Sequence, residues 1–148
     1  MRPLANSRGD GLESGDALVT SDALLRLFDV AWEYRENSFL VGQTKVGAAA
    51  LAGNGSVYPG CNVEHQFRSH DIHAEVAAIA SMVTAGQTEL VAIAVVGHVE
   101  RISPCGSCLD WIMQFGGPDC VVAWQSLGGS EYSCETALAL MPFYPKSR

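Results

Sequence analysis

Ile72-His73-Ala74-Glu75, which opens the apolar run Val76-Ala77-Ala78-Ile79-Ala80, and Ser103-Pro104-Cys105-Gly106-Ser107-Cys108 decide how this chain is read. His73 to about Ala85 reads as a helix of almost wholly apolar residues, ended by Gly86. A helix apolar all round is buried on several sides. Val91 to Val96, just ahead of the second stretch, is a continuous apolar run of the kind a central strand shows when both its faces are covered. Cys105 to about Phe115 reads as the next helix, stopped by Gly116-Gly117-Pro118. Pro104 loses nothing as the chain enters that helix, where a backbone N–H is not needed. Both stretches therefore sit where a helix begins.

That position suits a metal. His73, Cys105 and Cys108 supply one nitrogen and two sulfur ligands, and a catalytic zinc takes three protein ligands while keeping a fourth position open. The C-x-x-C spacing brings both sulfurs to one side of a first helical turn. A helix N-terminus carries roughly half a positive charge, which favours thiolates there. Two thiolates and a neutral imidazole balance one Zn²⁺, and zinc brings the pKa of bound water to about 7. Glu75, two residues from His73, is then placed to accept a proton and hand it on. A lone C-x-x-C also serves structural zinc knuckles and redox pairs. A structural site would be closed by a fourth ligand, for which Cys61, Cys120, Cys134, His65, His70 and His98 are candidates by type, none of them at paired spacing.

Outward from this centre the chain alternates strands and helices. Met1 to about Asp16 has no periodicity and is expected to be a disordered tail. A helix capped by Thr20 or Ser21 follows, with Leu24, Leu27, Phe28, Ala31 and Tyr34 on one apolar face. Lys45 to Leu51 and Ser56 to Cys61 read as a hairpin around Ala52-Gly53-Asn54-Gly55. A polar loop runs to Asp71, where His65 and His70 are expected to be solvated. Beyond the second motif, Cys120 to Trp124 reads as a buried strand and about Cys134 to Met141 as a last helix, halted by Pro142. Trp111 and Trp124 read as packing residues. The pattern predicts one three-layer α/β domain over residues 17–148, built on a mixed sheet.

Composition narrows the partners. A chain of 148 residues with 48% apolar residues suits one domain with a real core. A net charge of −7 with no basic stripe argues against a polynucleotide and favours a small molecule. Five cysteines, an odd count, suit free thiols in a reducing compartment. No charged-then-apolar leader and no run long enough to span a bilayer are visible, so a soluble cytoplasmic protein is expected.

H-x-E joined to P-C-x-x-C, with the Glu not a ligand, is the described signature of the zinc deaminases. On His73-Ala74-Glu75 and Pro104-Cys105-Gly106-Ser107-Cys108 the chain resembles the cytidine deaminase superfamily, most closely its small nucleoside-deaminase branch. Val46-Gly47-Ala48-Ala49-Ala50, Gly60-Cys61-Asn62-Val63-Glu64 and Leu140-Met141-Pro142-Phe143 extend the likeness over roughly Val46 to Phe143. The resemblance implies a five-stranded mixed sheet between helices and one zinc per chain. It implies hydrolytic deamination of cytidine or deoxycytidine to uridine or deoxyuridine, in pyrimidine salvage, by a homo-oligomer, most readily a tetramer. It further implies that Asn62 and Glu64 hold the ribose hydroxyl and that the main chain around Ala74 and Ser103 binds the pyrimidine.

Four departures stand out. Thr44-Lys45 replaces the aromatic usually found before V-G-A-A, leaving Phe39 the nearest; Leu109-Asp110 replaces Arg-Gln after the second cysteine; His65 replaces the second Asn of N-x-E-N. His73 is the ligand, as in the family's long dimeric branch, and Val76 stands where some three-cysteine members place an Arg. Asn62-Val63-Glu64-His65 has some likeness to blasticidin S deaminase, so a modified or bulkier aminopyrimidine nucleoside is the alternative substrate. A non-catalytic zinc-binding interaction domain is the alternative of another class, and it has no use for Glu75.

Overall fold

The structure, a computed structural model, describes residues 12–14, 17–127 and 130–145. In chain order the elements are β1 (Leu12–Ser14), β2 (Ala17–Val19), α1 (Ser21–Arg35), β3 (Gly47–Ala52), β4 (Val57–Cys61), a 3-10 turn (Arg68–His70), α2 (Ala74–Thr84), β5 (Leu90–Val96), α3 (Gly106–Gly116), β6 (Val121–Gln125), β7 (Ser133–Thr136) and α4 (Ala137–Leu140).

Helix α1 starts where the Thr20 hydroxyl accepts a hydrogen bond from Ala23 N at 3.1 Å. Leu24, Leu27, Phe28 and Ala31 are buried, as their spacing predicts, but Tyr34 is exposed. At 100° per residue Tyr34 lies about 70° from the middle of the stripe, at its edge. The β3–β4 hairpin forms as expected, turning through Gly55 at φ 88°.

The main sheet runs β4-β3-β5-β6-β7. β3 pairs antiparallel with both β4 and β5, β5 pairs parallel with β6, and β6 pairs antiparallel with β7. This is the five-stranded mixed sheet between helices that the family resemblance implies. Alternation along the strands divides the core in two. Ala48, Ala50, Ile93, Val95, Val122 and Trp124 face Ala78, Ile79 and Met82 of α2 and Leu109, Ile112 and Met113 of α3. Ala49, Ala92, Ala94, Val121 and Ala123 face Leu24, Leu27, Phe28 and Ala31 of α1.

Two expectations change. The last helix does not begin near Cys134: Ser133–Thr136 is an edge strand, with Cys134 opposite Ala123, and only Ala137–Leu140 is helical. The Thr136 side chain accepts from Ala139 N at 3.2 Å, which fixes the helix start there. Most of the expected N-terminal tail lies outside the described residues, but Leu12–Ser14 pairs antiparallel with Ala17–Val19. Among the described residues no helix is long and apolar enough to cross a membrane.

Glycine sets where α2 lies. A Cβ on Gly60 of β4 would come within 2.3 Å of Ala74 O and 2.4 Å of Ala78 N. Real atoms cannot approach so closely, so the missing side chain lets the first turn of α2 rest on the strand. The N-termini of α2 and α3 thereby come together at one end of the sheet, beyond the C-terminal ends of β4 and β5, where open α/β sheets place their ligands.

Candidate metal centre and active site

His73 is the N-cap residue of α2 and Cys105 that of α3; neither side chain caps its own helix. Both are free to point away from the helix starts and toward each other. His73 Nδ1 lies 3.3 Å from Cys108 Sγ and 3.4 Å from Cys105 Sγ. The three ligand atoms lie within 4.8 Å of one another. A tetrahedral zinc with Zn–N near 2.0–2.1 Å and Zn–S near 2.3 Å needs N···S separations of about 3.5 Å. The donor set and its spacing fit zinc. None of the other cysteine and histidine candidates joins this group among the described residues.

Cys108 is fully buried and Cys105 is exposed. Burial, with Glu75 and Cys105 adding to it, pushes the Cys108 thiol well above the usual range. A bound cation is what would stabilise the thiolate in so buried a place.

Glu75, in the first turn of α2, is 5% exposed and lines the same cleft as His73 and Cys105. Burial raises its carboxyl pKa; its own backbone N–H, His73 and Cys108 pull in the other direction and do not cancel the rise. A carboxyl beside the three metal-binding side chains is placed to take up and release a proton.

The cleft has a volume of about 270 Å³. Asn62, Glu64, Ala74 and Ser103 all line it, together with Thr44, Val46, Arg68, Asp71, Ile72 and Ile102. Among the described residues, those lining the cleft include no Phe, Tyr or Trp, and Phe39 is not one of them; it bridges to Val63 and stays exposed. Asn62 and Glu64 are buried, yet both are already engaged. Asn62 Oδ1 accepts from Val46 N and its Nδ2 donates to Thr44 O, each at 2.8 Å. Glu64 Oε1 accepts from Val41 N at 2.9 Å and Gly42 N at 2.7 Å, and its Oε2 accepts from Arg68 Nη2 at 2.6 Å. The two residues thus pin segment 41–46 over the cleft.

Arg68 is the residue that sequence reasoning overlooked. Its Nε donates to Asp71 Oδ2 at 2.8 Å, and Asp71 Oδ1 accepts from His65 N at 2.8 Å. The hydrogen bond from His65 N, helped by Arg68, holds the Asp71 carboxyl below its ordinary range. The spacing Glu64, Arg68, Asp71 in a polar loop was the available signal. His65 and His70 are exposed, as expected. Trp124 is buried, whereas Trp111 is partly exposed and stacks on Phe115.

The family model of the cytidine and deoxycytidylate deaminase zinc-binding region matches residues 22–124. The chain belongs to that family. Among similar proteins, the cytidine deaminase of Mycobacterium tuberculosis is 37% identical over 78 residues, 52% of this chain and 59% of that protein. The cytidine deaminase of Sporosarcina psychrophila is 42% identical over 71 residues, 47% of this chain and 52% of that protein. The chain's matches thus span little more than half the length of these relatives. The crystal structure of the Burkholderia pseudomallei cytidine deaminase superposes with a TM-score of 0.76 at 32% identity, covering 80% of this chain and 96% of that one. The fold is that of this deaminase family, over most of the described residues.

Proposed function

We propose that the protein is a zinc-dependent hydrolase that converts cytidine or deoxycytidine and water to uridine or deoxyuridine and ammonia. The observation that carries this reading is the buried Glu75 carboxyl in the wall of the cleft onto which His73, Cys105 and Cys108 converge. Those three residues would hold one zinc ion per chain, which supplies a Lewis acid and makes water acidic enough to attack at neutral pH.

Glu75 does the proton work. It takes a proton from the attacking water, delivers it to the ring nitrogen beside the amino-bearing carbon, and returns a second proton to the departing amine. Ammonia leaves and the carbonyl of the uracil ring remains. The main chain around Ala74 and Ser103 would orient the pyrimidine, and Asn62 and Glu64 the sugar, which their place in the cleft wall supports. A structural zinc module has no need of a buried carboxyl in the wall of a cleft beside its ligands, which weighs against a non-catalytic interaction domain.

A second substrate class has one observation in its favour. With no Phe, Tyr or Trp among the described lining residues, a modified or bulkier aminopyrimidine nucleoside fits the reading as well as cytidine does. Ammonia release from a panel of cytosine, adenine and guanine nucleosides and bases separates these readings. Cytosine nucleosides as best substrates support the proposal; purine nucleosides or free bases as best substrates contradict it.

The reading extends to the whole domain, residues 17–148, as one deaminase unit acting in the cytoplasm on salvaged pyrimidines. Exposed Phe39, Val63, Phe67 and Ile72 near the cleft support a homo-oligomer, with a tetramer the favoured form. The net charge of −7 supports a small nucleoside over a polynucleotide as substrate.

A further inference from the structure

At the sugar end of the cleft, the hydrogen-bonding capacity of Glu64 and Arg68 can be counted group by group. A carboxylate oxygen accepts about two hydrogen bonds. Glu64 Oε1 already takes two, from Val41 N and Gly42 N. Oε2 takes one, from Arg68 Nη2, and keeps one acceptor position. Arg68 spends its Nε hydrogen on Asp71 and one Nη2 hydrogen on Glu64. Its Nη1 and its second Nη2 hydrogen have no hydrogen-bond partner among the described residues, and both residues line the cleft.

A free acceptor and free donors therefore stand side by side on one ion pair. That combination matches a hydroxyl group, which donates one hydrogen bond and accepts others. It does not match a phosphate, which only accepts and would meet two carboxylates, Glu64 and Asp71, against the single guanidinium. Space at this point is kept by Gly42, whose Cβ would stand 3.3 Å from Arg68 Nη1 and 3.4 Å from Glu64 Oε1.

We propose that Arg68 is a specificity-determining residue that donates a hydrogen bond to the 2′ or 3′ hydroxyl of the nucleoside sugar, the same hydroxyl that donates to Glu64 Oε2. Arg68 thereby acts twice: it sets the rotamer of Glu64 and supplies the donor that a carboxylate cannot. This rests on the nucleoside reading above.

The test compares kcat/KM of wild type and Arg68→Ala on cytidine, 2′-deoxycytidine and 3′-deoxycytidine, with zinc content and Tm measured for each protein. Losing a hydrogen bond to a charged group is worth roughly ten- to a hundredfold. The expected result is a loss of that size on cytidine that shrinks to within about twofold on the analogue lacking the recognised hydroxyl. Arg68→Lys keeps a charge and a donor without the planar fork, so its loss should be smaller and depend on the same hydroxyl. If Arg68→Ala does not fold, the Arg68→Lys comparison decides. Equal losses on all three nucleosides overturn the proposal and make the ion pair purely structural. A wild type inert on all three overturns the functional reading and this inference with it, whereas an active wild type with equal losses in the variant overturns this inference alone.

Discussion

His73 Nδ1 lies 3.3 Å from Cys108 Sγ, although 35 positions of sequence and a full strand separate the two residues. A helix start on either side of β5 brings them together, and Gly60 lets the first of those helices lie close enough to its strand to do so. The site is thus a product of packing as much as of motif.

Removing Cys108 should remove the metal. Cys108→Ala deletes a buried ligand, and zinc content measured on purified protein is expected to fall from about one per chain to a small fraction of that. Stability should fall with it, by roughly 3 kcal/mol or more for a metal that had been present at a hundredfold excess over its dissociation constant. A variant that keeps its zinc would exclude Cys108 as a ligand.

Glu75→Gln keeps the size of the side chain and removes the proton carrier. Zinc content and Tm should stay near wild type while kcat drops by about 10²–10⁴, the usual share of general acid–base catalysis. A near-normal rate would assign the proton transfers elsewhere.

Gly60→Ala tests the packing argument. The new methyl meets the Ala74 carbonyl and the Ala78 amide, both backbone, so α2 must shift. Overpacking of this kind costs about 1–3 kcal/mol. Turnover should fall beyond that stability loss, because His73 and Glu75 move with the helix. Unfolding curves and kcat at a temperature well below Tm separate the two effects. A fully active Gly60→Ala would show that the close approach does not position the site.

Glu64→Ala should have two consequences where a purely sugar-binding residue would have one. Nucleoside turnover should weaken by roughly ten- to a hundredfold while any slow reaction on free cytosine is nearly unchanged. Tm should fall as well, since Val41 N, Gly42 N and Arg68 lose their acceptor. Equal losses on nucleoside and base would leave Glu64 with only its structural part.

How much of this could be read beforehand follows from how local each feature is. His73, Glu75, Cys105 and Cys108 stand in two short motifs at helix starts, and the run Val91 to Val96, within β5, announces a central strand by its apolarity alone. The edge strand Ser133–Thr136 could not be read that way. It is four residues long, its register comes from β6, and Ala137-Leu138-Ala139-Leu140 beside it favours a helix. The clasp of Glu64, Arg68 and Asp71 lies in a polar loop, where composition points to solvent and only the folded path of the chain brings Val41 N and Gly42 N to Glu64. The raised pKa of Cys108 depends on burial, which the motif does not reveal.

The central claim is that His73, Cys105 and Cys108 hold a zinc ion with which Glu75 deaminates a cytosine nucleoside. Ammonia release from cytidine, measured on wild type and Glu75→Gln preparations of known zinc content, tests it most directly. The account predicts about one zinc per chain in both proteins, stoichiometric uridine and ammonia from the wild type, and a rate lower by at least about a hundredfold from the variant. Wild-type protein that carries its zinc and releases no ammonia from cytidine, or a variant that releases it as fast, would contradict it.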